Sequence, residues 1–201
     1  KLACFFHAKD RVALIRIDDP NVTSSFIRPE GLDRLKYKPA QFGEDNGESW
    51  MVQEASDGLV YATVTTRRRV GNQTFLAVTI TTNQELPGQT DPLALARRRI
   101  AQAWDHGFDG MLRSHGRWWD DFWTRSEVSI PDERIQRHYN LVKYFYGAAS
   151  RSNAPSIPLQ AVWTQASGGL PPGTAEFHHD LHSQMTYFAS HAAGLLDSVL
   201  R

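Results

Sequence analysis

The chain has 201 residues, 41% of them hydrophobic, and its 22 basic and 22 acidic side chains leave a formal net charge of zero. A chain of this length can bury roughly 70% of the surface its unfolded form exposes, enough for one large domain or two small ones. Neutrality provides no global field to gather nucleic acid or an anionic membrane, and no run approaches the roughly 18 apolar residues of a membrane span, so neither partner is expected.

The opening KLACFFHAKDRVALIRI lacks the basic-then-apolar pattern of a signal peptide and reads as the middle of a strand-rich domain, which suggests a fragment. Its single cysteine, Cys4, excludes an internal disulfide and a thiolate-rich metal site. DRVALIRID alternates as a strand does, and residues 21 to 47, rich in Gly, Pro and charge, read as long loops. Three β-branched and aromatic runs follow, Trp50 to Glu54, Leu59 to Arg68 and Thr74 to Thr82. Turn signals at Asp57-Gly58 and Gly71-Asn72 separate them, which predicts a meander and half of a β-sandwich with one face buried. The arginine triplets at 67 to 69 and 97 to 99 are expected to be solvated faces.

Near residue 87 the period changes. Asp91 is placed as an N-cap with Pro92 at the first helical position, and apolar residues recur at Leu93, Ala96, Ile100, Ala103 and Trp104. Gly107 and Gly110 interrupt this pattern, and it resumes from Met111 to Trp123, so two helices in tandem are expected. RWWDDFW, with three of the six tryptophans, could offer a sugar platform, but at helical spacing an aromatic stripe is more often core. A further helix, opened by Pro131 and Asp132, carries Ile135, Tyr139, Val142, Phe145 and Ala149 as its apolar face. After an irregular stretch holding Gly168-Gly169 and Pro171-Pro172, a last helix runs from about Asp180 with Leu181, Met185, Phe188, Ala192, Leu195 and Val199 apolar.

The entry to that last helix, EFHHDLHSQMTYF, holds three of the eight histidines and two carboxylates. His178 and His182 stand at the i, i+4 spacing of a zinc-binding helix, but His179 occupies the place of the glutamate base, so no metal site is expected. Glu176 and Asp180, if helical, would share one wall, whereas glycoside hydrolysis needs carboxyl groups on two sides of the bond, about 5 to 9.5 Å apart. The plainest reading makes Asp180 an N-cap whose carboxylate accepts a backbone N–H from His182 or Ser183. Gln184, Tyr187 and His191 continue a polar stripe from it, facing either a ligand or solvent.

WWDDFWTRSEVSIPD, YFYGAASRSNAPSIPLQAVWT, GGLPP and FHHDLHSQMTYF, in this order and spacing, resemble glycoside hydrolase family 95, the α-L-fucosidase-like enzymes. The resemblance covers residues 90 to 201 well and the strand-rich part loosely. It implies a multidomain β-then-α protein: the C-terminal part of a β-sandwich over residues 1–88, a helical linker over 89–127, and the first helices of an (α/α)6 barrel over 128–201. It also implies inverting removal of terminal α-L-fucose or a related L-sugar from an oligosaccharide or glycan, without a cofactor, in a secreted or periplasmic enzyme. By position in the family motif, Asp180 and His182 would hold water and sugar, with His178, Gln184 and Trp163 as substrate-binding residues. His182 replaces the family's usual asparagine, and Phe188 its usual tryptophan. No carboxylate from Ser129 onward matches the family's general acid or base, so the chain alone is expected to be inactive. The alternatives are a non-catalytic carbohydrate-binding or scaffold protein and, less favoured, a histidine-based metal-binding protein.

Overall fold

Period-two alternation organises the first part of the chain into strands β1 (Leu2–Phe6), β2 (Val12–Ile17), β3 (Gln41–Asp45), β4 (Glu48–Glu54), β5 (Val60–Val70) and β6 (Gln73–Thr82). The computed structural model describes residues 1–26, 36–88, 90–150, 156–157 and 180–195, and at 182 the backbone alone. It divides into two compact units, Lys1–Gly116 and Arg117–Arg201.

In the first unit the strands form one antiparallel sheet in the order β1-β2-β6-β5-β4-β3. The expected meander is β4-β5-β6, and its turn residues Asp57, Gly58 and Gly71 have the positive φ those signals promise. β3, in contrast, lies within the stretch read as loop. Asn46 and Gly47, at φ 49° and 80°, form the two-residue turn that pairs Asp45 with Glu48. Across this hairpin Gly43 pairs with Trp50, whose indole lies so close that a Cβ at position 43 would sit 2.3 Å from the ring.

The inward face of the sheet is covered by a helix. α1 (Pro92–Trp123) begins as its sequence indicates: Asp91 Oδ1 accepts the Ala94 N–H at 3.0 Å, and its carbonyl accepts the Leu95 N–H at 3.2 Å. Ala96, Ile100 and Ala103 pack on Val12, Leu14, Val64 and Ala77, and so do Phe108 and Met111 from the following turns. Between these groups Gly107 adopts φ 66° and ψ 161°, a region essentially restricted to glycine. The expected interruption therefore falls at Gly107, while Gly110 remains helical. As far as Met111, the segment read as linker is the second layer of this unit.

The arginine triplets are not simply solvated. Arg99, only 14% exposed in its side chain, donates to Glu85 Oε2 at 2.8 Å, and Arg11 reaches the same oxygen at 3.1 Å. Arg97 binds Glu48 Oε1 at 2.8 Å, and Arg67 donates to the Val22 carbonyl at 3.1 Å.

At the turn between β1 and β2, His7 is buried, and its Nδ1 accepts the Lys9 and Asp10 N–H groups at 3.3 and 3.0 Å. Accepting those bonds takes an Nδ1 without a proton, whereas the Asp10 carboxylate, with Oδ2 2.9 Å from the same nitrogen, draws a proton to it. Burial holds the His7 pKa below the usual histidine value, and Lys9 and His106 add to the shift while Asp10 opposes it.

The second unit holds the end of α1 with α2 (Glu133–Ala149) and α3 (Leu181–Ala192). Asp132 caps α2 through Oδ1, which accepts the Arg134 and Ile135 N–H groups at 2.8 and 3.1 Å. The tryptophan-rich stripe is core: Phe122 is 1% exposed among Trp118, Trp119 and Trp123, and Trp119 stacks on Tyr144 with centroids 5.3 Å apart. The face of α2 differs from the expected one. Ile135 is 56% exposed and Phe145 37%, whereas Lys143, Tyr146 and Gly147 are buried along with Ala149. Lys143 Nζ donates to the carbonyls of Trp123, at 2.9 Å, and Ser126, and it lies over the Trp123 ring. Burial lowers the Lys143 pKa, against the attraction of Glu127.

Two measurements test this packing. Gly107→Ala should destabilise the chain by about 1–3 kcal/mol in denaturant titration, because its φ and ψ disfavour any Cβ. Gly110→Ala, in regular helix, should stabilise it by up to about 1 kcal/mol. Equal effects would contradict a break at Gly107. The second measurement concerns His7. With its folded pKa below the unfolded value of about 6.5, the unfolded state binds more protons, so stability is full above that pH and falls as pH drops through it, by up to about 1.4 kcal/mol per unit. His7→Asn, which keeps a turn acceptor without titrating, should flatten this part of the pH profile.

Candidate functional site

α3 is where the site read from the sequence meets the structure. Asp180 immediately precedes Leu181, is exposed, and accepts the Gln184 N–H on its carbonyl at 3.2 Å. This is the main-chain geometry of an N-cap residue, whose carbonyl makes the first helical bond while its own backbone stays outside the helix. A carboxylate there meets the positive end of the helix dipole. His182 lies in the first turn of α3, and Gln184 is exposed on the next. His178, Trp163, Glu176 and His179 lie outside the described residues.

Leu195, just beyond α3, is fully buried as the expected apolar face requires, but within α3 the expected polarity is reversed. Leu181, Met185 and Phe188, read as the apolar face, are 64%, 63% and 75% exposed. At about 100° per residue they occupy one side of the helix, and Ser183, Thr186, Tyr187 and Ser190 lie on the side that packs. Ser190 is fully buried and donates to the Tyr187 carbonyl at 2.5 Å. Tyr187, counted in the polar stripe, packs against the Phe122 cluster, and its hydroxyl accepts the Ile157 N–H at 2.6 Å. Gln184 and His191 remain exposed.

α2 holds this arrangement through Tyr146, whose hydroxyl donates to the Thr186 carbonyl. The bond joins α2 to the middle of α3, and burial raises the Tyr146 pKa, with Tyr187 adding to the effect. The next residue of α2, Gly147, leaves room for Trp119 and Phe122, which a Cβ would meet at 2.7 and 2.9 Å. The side chains that fix α3 are therefore Tyr146, Tyr187 and Ser190. Sequence reasoning missed Tyr146 and Ser190 because it sought an apolar stripe and the packed side is built from hydroxyls. For α3 the available signal was the i, i+4 and i, i+3 spacing of Thr186 and Tyr187 from Ser190.

Chemically, the described part of this wall offers a carboxylate at a helix start, an amide at Gln184 and an imidazole at His191. These groups can accept and donate hydrogen bonds to sugar hydroxyls or to a water. Among the described residues no three His, Cys, Asp or Glu side chains are grouped to hold a metal ion, and no helix is long and apolar enough to cross a membrane.

Tyr146→Phe should lower stability by about 0.5–1.5 kcal/mol, since it deletes one side-chain hydrogen bond. Hydrogen exchange should show the loss concentrated in α3. Uniform loss across the whole chain would mean that this bond does not hold α3 in particular.

A comparison of the chain with protein-family models finds no match, and a comparison with curated proteins finds none either.

Proposed function

We propose that the chain is part of a glycoside hydrolase of the family 95 kind, acting on terminal α-L-fucose or a related L-sugar by inverting hydrolysis, in a secreted or periplasmic enzyme without a cofactor. The observation that carries the reading is Asp180: it stands where the motif resemblance calls for a water- and sugar-positioning residue, at the head of a helix with its carboxylate exposed. An N-cap position lets one residue hold the helix start by its main chain and present its side chain outward.

The coarse architecture, a six-stranded antiparallel sheet followed by helices, fits such a protein. In this reading the sheet belongs to the β-sandwich domain, α1 continues as the linker, and α2 and α3 are the first helices of an (α/α)6 barrel. The exposed apolar residues of both helices support that part, because barrel helices bury surface on two sides. Inverting hydrolysis delivers water to the anomeric carbon opposite the leaving oxygen while an acid protonates that oxygen. The Asp180 carboxylate would orient the water and a sugar hydroxyl as a hydrogen-bond acceptor, with His182, His178, Gln184 and Trp163 contacting the sugar. The acid and base match no residue from 129 onward, so the 201-residue chain alone is expected to release no fucose.

The test uses the enzyme that contains this segment, with 4-nitrophenyl α-L-fucoside as substrate. Asp180→Ala should lower kcat/KM by about 100-fold or more with the fold intact by circular dichroism, and proton NMR should find β-L-fucose as the first product. His182→Asn should retain activity. Undiminished hydrolysis by the Asp180→Ala enzyme, or an α-anomer as first product, would refute this assignment. An enzyme that binds glycans and hydrolyses none would return the chain to the non-catalytic class.

A further inference from the structure

Three members of the two arginine triplets, about thirty positions apart in sequence, converge on one cavity. It has a volume of about 590 Å³ and lies in the first unit, where the β3–β4 turn and the end of β5 meet the flank of α1. Small-molecule sites commonly span about 300–1,000 Å³. Arg67, Arg68 and Arg97 line it together with Trp104, Asp45 and Glu48.

These cations are not equivalent. Arg97 is paired with Glu48, and Arg67 is bound to the Val22 carbonyl. Arg68 is exposed, and its guanidinium carbon lies 4.6 Å from the ring centroid of Trp104. Among the described residues no hydrogen bond or ion pair engages it. The indole beneath is fixed, because Trp104 Nε1 donates to Thr66 Oγ1 at 2.8 Å. A guanidinium stacked on a fixed ring keeps its plane while its N–H edge stays available, the geometry that binds a carboxylate through two parallel bonds.

The rest of the lining narrows the ligand. Three cationic side chains against two anionic ones leave a single positive excess, which suits one carboxylate better than a phosphate dianion or a polyanion backbone. Asp45, also without a partner among the described residues, and the neighbouring Asn46 add a carboxylate and an amide, groups that bind sugar hydroxyls. We propose that this cavity binds a carboxylated sugar, a uronate residue of an acidic glycan, with Arg68 stacked on Trp104 as the fork that takes the carboxylate. None of these residues belongs to α3, so this site and the hydrolase reading stand or fall separately.

The experiment titrates the full chain at low ionic strength with trigalacturonate, its neutral methyl ester and inorganic phosphate, by calorimetry and by the NMR signal of the Trp104 indole N–H. Trigalacturonate should shift that signal and bind at least about tenfold more tightly than the ester. Arg68→Ala should weaken it by about tenfold or more, and Arg68→Lys should recover only part of the loss, since an ammonium keeps the charge without the stacked fork. Arg68 is exposed, so the thermal melt of either variant should match that of the parent. Absence of trigalacturonate binding, equal binding of the ester, phosphate binding as tight as the uronate, or an Arg68→Ala variant of unchanged affinity would each overturn the proposal.

Discussion

Burial of one stripe of α1 by the inward face of the sheet is the constraint on which the first unit depends. Val12, Leu14, Val64 and Ala77 form a shallow floor of aliphatic side chains, and only a layer laid across them can remove it from water. Ile100, Phe108 and Met111 do so, each contributing about 1.5–3 kcal/mol through its own burial. An uninterrupted helix would carry its stripe away from a twisted sheet. The unusual backbone of Gly107 lets residues on both sides of it reach the same core. Phe108 then lies against Phe5 and Phe75, with the Arg16 guanidinium over its ring.

In the second unit a cation takes the place that an apolar stripe was expected to fill. Lys143 lies within the helix face that packs, and its ammonium donates to the carbonyls of Trp123, the last residue of α1, and of Ser126 just beyond it. Aromatic rings around the lysine stem exclude water while leaving the charge a favourable surface in Trp123. Together with the Tyr146 bond to α3, this makes one face of α2 the common attachment for the chain before it and the chain after it. The apolar residues on its other face remain exposed, and so do Leu181, Met185 and Phe188 of α3. Apolar surface of this extent marks interaction or self-association.

What the sequence made legible was local. Strand alternation, the Asp91 and Asp132 caps and the glycine break all rest on residues within a few positions of one another, and each has a physical signature that neighbours do not override. Residues 41–45 were hidden by the polar character of QFGED, although Asn46-Gly47 announced the hairpin that pairs them. The faces of α2 and α3 were misread because periodicity locates an apolar stripe but does not say whether that stripe is covered. Hydroxyls and a lysine packed there instead, through bonds to main-chain carbonyls that no sequence pattern displays. Of the candidate site, the helix start at Asp180 was legible from its capping residue. The cavity around Arg68 was not, since it exists only after residues from β3, β4, β5 and α1 are brought side by side.

The hairpin of β3 and β4 carries one more consequence. The Trp50 indole occupies the volume that any side chain at position 43 would need. A slip of β3 by two residues keeps every side chain on its face but brings Gln41 or Asp45 opposite Trp50 in place of Gly43. Either side chain would lift the ring from the strand. The missing Cβ thus acts as a key that admits a single alignment of the edge strand. That alignment also sets where Asp45 and Asn46 stand at the mouth of the arginine-lined cavity.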